Sequence, residues 1–144
     1  MVTVASVLAF NSGALQSAYA ATKAGIEALG RSLRVELAPH GVDVTIIYPA
    51  YVDARMLDAF RLDEAGRHYE KTIPGFLEGR LTSQSMGKAM TEAMVTAKKT
   101  LVFPARWRPV ELLRGIWGPL SEAALSRGDD FAQALTLADE EAQR

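Results

Sequence analysis

The sequence predicts an α/β fold: a parallel sheet of about three strands with flanking helices. Three observations carry this expectation. A β-branched run, a long small-residue helix and a second β-branched run follow one another with tight connections over residues 2–48. Strand, helix, strand in that order is a βαβ unit, with parallel strands and a right-handed crossover. A further helical stretch and a short apolar run, Leu101-Val102-Phe103, repeat the alternation.

Each element has its own signal. Val2-Thr3-Val4-Ala5 reads as a buried strand beginning almost at the first residue. Such a strand is expected to lie at a sheet edge, or to pair with something upstream, and an exposed edge favours association. Leu8 to Ser17 reads as a loop. From about Ala18 to Ala38, Ile26, Leu29, Leu33 and Leu37 recur at helical spacing beside a run of Ala and Gly. Pro39-His40-Gly41 ends that helix. Its small residues permit close approach of a neighbour, within the molecule or across a subunit interface. Val42 to Tyr48 is apolar at nearly every position after Asp43, as in a strand covered on both faces. Residues 53–80 predict one or two short helices after a strand's C-terminal end, where α/β sheets bind ligands. A helix from Thr82-Ser83 to about Lys98 follows. Helical segments over 110–117 and 120–127, and one opened by Asp129-Asp130, complete the chain.

Composition bounds the function. The chain has 144 residues, 49% hydrophobic and 23% charged, enough for one domain with a real core. A net charge of −1 gives no general basic field for nucleic acid. The absence of cysteine excludes disulfides, thiolate metal sites and thiol catalysis, and fits a reducing cytoplasm. No apolar run reaches the roughly 18–20 residues that span a bilayer, and the N-terminus lacks a secretory pattern. His40 and His68 have no second ligand at metal spacing, so no metal site is expected.

Three groups of residues carry candidate chemistry. Tyr19 and Lys23 stand four apart in the predicted helix and share one face. A free phenol is a poor base at neutral pH, and a fixed cation beside it favours its anion. Such a phenol exchanges a proton with an alcohol or carbonyl oxygen. Ser6 lies 13 residues before Tyr19, at the end of the first strand. Its hydroxyl is suited either to orient a substrate oxygen or to cap the turn. Tyr48-Pro49-Ala50-Tyr51-Val52-Asp53 ends the second strand, and small Ala50 lets the backbone approach a flat ligand.

Together these stretches resemble the simple branch of the short-chain dehydrogenase/reductase family. The resemblance rests on Val2-Thr3-Val4-Ala5-Ser6, Tyr19-Ala20-Ala21-Thr22-Lys23-Ala24-Gly25, Leu37-Ala38-Pro39-His40-Gly41-Val42-Asp43-Val44-Thr45 and Pro49-Ala50-Tyr51-Val52. It implies a Rossmann-like sheet and an NAD- or NADP-dependent oxidoreductase interconverting an alcohol and a ketone or aldehyde. It implies that Tyr19 is the acid/base, that Lys23 tunes it and holds the nicotinamide ribose, and that Ser6 orients the substrate oxygen. Pro49, Ala50 and Val52 would contact the nicotinamide, Val52 through its backbone. The resemblance also implies a homo-oligomer through the 18–38 helix.

The chain departs from the family pattern in several places. Ala50 replaces the usual Gly, and Ala54 replaces a frequent Thr, removing a hydroxyl contact to the cofactor. There is no Gly-rich phosphate-binding turn, and Asn11, the only Asn, follows Ser6 rather than preceding it. The expectation is therefore a C-terminal part of such an enzyme, starting at its fifth strand. Residues 1–104 would form the dinucleotide-binding part and 105–144 a helical extension. Met56, Leu57, Phe60, Leu62, Phe76 and Leu77 either line a substrate pocket or seal the core. Trp107, Leu112, Leu113, Ile116, Trp117 and Leu120, flanked by Arg106, Arg108 and Arg114, suit a docking surface, or less favourably a membrane surface. A hydrophobic alcohol or carbonyl substrate is expected. The competing expectation is a non-catalytic remnant that dimerises through the 18–38 helix.

Overall fold

The computed structural model describes residues 1–11, 15–52, 62, 64–79 and 81–142. Three strands form one parallel sheet: β1 (Val2–Val4), β2 (Thr45–Pro49) and β3 (Thr100–Phe103), in the order β1-β2-β3. Val2 pairs with Thr45, and Ile46 with Thr100. The crossover between β1 and β2 is α1 (Ser17–Leu37), the predicted βαβ unit.

Side-chain alternation along β2 builds a core on each face. Ile46 and Tyr48 join Val7, Phe10, Leu77, Val102 and Trp107 on the α1 side. Ile47 joins Leu81, Met86, Ala93 and Leu101 beneath α3 (Ser83–Val95). Both faces are covered, which is why β2 reads as a continuous apolar run. Gly30 sets how closely α1 approaches the sheet: a Cβ there would stand 2.7 Å from Thr3 Oγ1 and 3.0 Å from Ile46 Cγ1.

Two element ends differ from expectation. β2 begins at Thr45 rather than Val42, because the ladders with β1 and β3 start at Thr45 and Ile46, and ahead of them the Met1 ammonium reaches the Asp43 carbonyl. Gly41, at φ +68°, closes the 3-10 turn Ala38–His40 that follows α1, and the Val42 N–H returns to the Leu37 carbonyl at 3.3 Å. α3 stops at Val95 rather than Lys98, because Ala97 turns left-handed and the Lys98 N–H bonds the Ala93 carbonyl at 2.9 Å.

Beyond β2 lie α2 (Glu64–Lys71) and a 3-10 turn, Gly75–Leu77. After β3 come a 3-10 turn (Ala105–Trp107), α4 (Arg108–Leu112), α5 (Arg114–Leu125) and α6 (Asp129–Ala142). The helix break falls at Leu113, not at Gly118-Pro119 as the sequence suggests. Pro119 sits inside α5, where a proline normally disfavours helix. Trp117 and Leu120 on either side line one wall of a cavity, so packing overrides propensity. α6 returns to pack on α2. Among the described residues, no helix is long and apolar enough to cross a membrane.

Candidate active site

The ends of β1 and β2 lie side by side, and the candidate residues gather there. Ser6 lies two residues beyond the end of β1 and is buried. It caps the 3-10 turn Val7–Ala9: its Oγ accepts from the Leu8 N–H at 3.2 Å. The same hydroxyl donates to the Pro49 carbonyl across 3.5 Å. That second bond is at the limit of hydrogen-bond geometry. The capping role weighed in the sequence is therefore present, and the hydroxyl proton is held only loosely.

α1 packs on this turn and on β1. Tyr19 and Lys23 share one face of it: the Lys23 ammonium lies 5.4 Å from the Tyr19 ring centroid. Lys23 Nζ donates to the Val4 carbonyl at 3.1 Å, two residues before Ser6. An ammonium has three donors, so two remain for a ligand. Tyr19 is half-buried.

The segment after β2 is held from both sides. The Ala50 N–H bonds the Phe103 carbonyl at 2.9 Å, and the Leu81 N–H bonds the Tyr51 carbonyl at 2.9 Å. Val52 forms a parallel bridge with Leu81. A parallel bridge uses the peptide groups flanking one of its residues, so Val52's own N–H and C=O point away from Leu81. Among the described residues, that leaves a donor and an acceptor for a planar amide. The position expected to lose a hydroxyl, Ala54, lies outside the described residues.

An apolar cavity of about 280 Å³ lies beside these strand ends, near the lower limit of small-molecule sites. Its lining includes Asn11, Tyr51, Tyr69, Leu77, Trp117 and Leu120. Of the residues weighed for a substrate pocket, Leu77 is buried and lines it, Phe76 and Leu62 are largely exposed, and Met56, Leu57 and Phe60 lie outside the described residues. Burial, and a hydrogen bond with Tyr69, raise the Tyr51 phenol above its usual range; burial does the same for Tyr69.

Sequence reasoning missed one polar cluster. Glu27, one turn beyond Lys23, is buried yet charged. It accepts from Arg114 at 2.6 Å and from Arg31 at 3.3 Å. The hydrogen bond to Glu27 raises Arg114 above its ordinary value. Burial first, then Glu27 and Glu111, push the nearby Tyr48 phenol up to about 12. The available signal was a carboxylate next to Ile26 on the buried stripe.

Comparison with known proteins gives similarity over part of the chain. Residues 1–65 match the short chain dehydrogenase family. Over that stretch the chain is similar to short-chain dehydrogenases. It is 40% identical over 57 residues to an uncharacterized oxidoreductase of Mycobacterium tuberculosis, covering 39% of this chain and 22% of that protein. It is 34% identical over 74 residues to the 3-oxoacyl-[acyl-carrier-protein] reductase of Aquifex aeolicus, covering 51% and 29%. It is 51% identical over 43 residues to a very-long-chain 3-oxoacyl-CoA reductase-like protein of Arabidopsis thaliana, covering 30% and 14%. The chain thus spans less than a third of the length of each of these relatives.

Proposed function

We propose that these residues contribute the acid/base and nicotinamide contacts of an NAD- or NADP-dependent oxidoreductase that interconverts an alcohol and a ketone or aldehyde. The observation that carries this is Lys23, bound to Val4 beside Ser6 and lying 5.4 Å from the Tyr19 ring. Tyr19 exchanges the proton with the substrate oxygen. Ser6 turns its loosely held hydroxyl from Pro49 to that oxygen and steadies it. Lys23 keeps two donors for the ribose hydroxyls and holds a positive charge beside the Tyr19 ring. Val52 offers its amide to the carboxamide, and Pro49 and Ala50 present a low surface to the ring. The nicotinamide, when bound, supplies or accepts the hydride.

The substrate in this proposal is hydrophobic. The apolar cavity supports it, and so do the names of two relatives, a 3-oxoacyl-[acyl-carrier-protein] reductase and a very-long-chain 3-oxoacyl-CoA reductase-like protein. A fatty-acyl ketone is the kind of molecule that fits both. The proposal places the protein in the cytoplasm. It also includes self-association through α1, whose Leu29 and Val35 are 55% and 74% exposed.

Nicotinamide fluorescence tests the reading against that of a non-catalytic dimerisation module. Saturable enhancement of reduced cofactor emission on adding protein is expected. No binding at millimolar cofactor, with a dimer intact, would leave only the interaction role.

A further inference from the structure

We infer that the Asn11–Trp117 pair sets ligand specificity, holding the Trp117 indole as a fixed wall of a site for an uncharged, straight apolar chain. This rests on the oxidoreductase reading and deepens it. The Trp117 Nε1–H donates to Asn11 Oδ1 at 3.0 Å, joining residues 106 positions apart. Asn11 belongs to the turn that Ser6 caps, its N–H bonding the Val7 carbonyl at 3.0 Å. Trp117 belongs to α5, and three residues earlier Arg114 reaches Glu27 on α1. One helix is thereby tied to both elements that carry Ser6, Tyr19 and Lys23. Phe76 meets the Trp117 ring edge-on, with centroids 5.9 Å apart.

The chemistry of the lining defines the ligand. None of the described residues around the cavity is charged. Most of its polar groups are already used: the Thr72 hydroxyl donates to the Tyr69 carbonyl at 2.7 Å, and the Ser121 hydroxyl to the Gly118 carbonyl at 2.9 Å; the buried Trp107 Nε1–H has no partner and is a single neutral donor suited to a carbonyl oxygen. The Tyr51 and Tyr69 phenols bond each other. Asn11 Oδ1 is taken by Trp117. A charged head group would be desolvated here without a countercharge among the described residues, at high cost. An apolar chain meets aromatic and aliphatic walls, and a fixed indole limits its length.

Both tryptophans of the chain, Trp107 and Trp117, line this cavity, so intrinsic fluorescence reports its occupancy without turnover. Titration with 2-octanone, 2-decanone and 2-dodecanone should give saturable changes, with decanoate as the charged control giving none. Trp117→Ala should shift the affinity ratio of 2-dodecanone to 2-octanone at least about tenfold toward the longer chain. Trp117→Phe and Asn11→Ala, which keep most of the packing, should shift it the same way by less. Equal binding of decanoate, or an unchanged ratio in all three folded variants, overturns the inference. Nicotinamide-dependent turnover with that unchanged ratio would leave the oxidoreductase reading standing. Length-dependent binding that moves with Trp117, without any turnover, would sustain the specificity role and overturn the oxidoreductase reading instead.

Discussion

Lys23 Nζ donates to the Val4 carbonyl at 3.1 Å, fastening the Tyr19 end of α1 to the last residue of β1. The bond is exposed, so its structural worth is small, about 1 kcal/mol or less. Lys23→Met is therefore expected to unfold in urea close to wild type. In an active protein its turnover should fall by about 10²–10⁴, the range of a lost acid/base function. Paired denaturation and rate measurements separate the two effects, and unchanged turnover would remove Lys23 from the site.

Gly30 and Gly25 lie on the same helix but face different surroundings. A Cβ at Gly30 meets Thr3 and Ile46 at 3.0 Å or less, whereas one at Gly25 meets nothing within 4 Å. Gly30→Ala should cost roughly 1–3 kcal/mol through overpacking. Gly25→Ala should stabilise by up to about 1 kcal/mol through helix propensity. Thermal melts of the two variants should move in opposite directions.

The Glu27 cluster makes an asymmetric prediction. Arg114 and Arg31 both reach Glu27, but the Arg31 side chain is 58% exposed and its contact is the longer one. Arg31→Ala should cost under about 1 kcal/mol, as for surface pairs. Arg114→Ala leaves a buried carboxylate with only that weaker partner and should cost roughly 2–3 kcal/mol. Equal losses in urea denaturation would contradict this.

Tyr48 links stability to alkaline pH. Its phenol is raised to about 12 by burial, and an unfolded tyrosine titrates near 10. The folded state therefore holds this proton more tightly. Its contribution is complete below pH 10 and is lost as pH rises toward 12. Tyr51 and Tyr69 act in the same direction. Tyr48→Phe should make the fall in stability over that window shallower, which urea midpoints at stepped pH would measure.

Local pattern made much of this molecule legible. The period of Ile26, Leu29, Leu33 and Leu37 and the β-branched runs around it located β1, α1 and β2, although Leu29 of that stripe is 55% exposed and the other three are half-buried. The Tyr19–Lys23 spacing was equally visible, since helical geometry alone puts them together. Features made by distant partners were hidden. The start of β2 depends on where its neighbours begin. Glu27 and Arg114 are 87 residues apart, and Asn11 and Trp117 are 106 apart. No local signal announces either pair. The helix through Pro119 contradicted propensity because its neighbours are anchored in a wall that only the tertiary fold supplies.

The most direct test of the central claim is nicotinamide-dependent reduction of a ketone by the active protein, wild type against Tyr19→Phe. Turnover should fall by about 10²–10⁴, with cofactor affinity within twofold (about 0.4 kcal/mol) of wild type. Retained turnover in Tyr19→Phe would show that another group moves the proton, and the role assigned to the Ser6, Tyr19 and Lys23 cluster would be wrong.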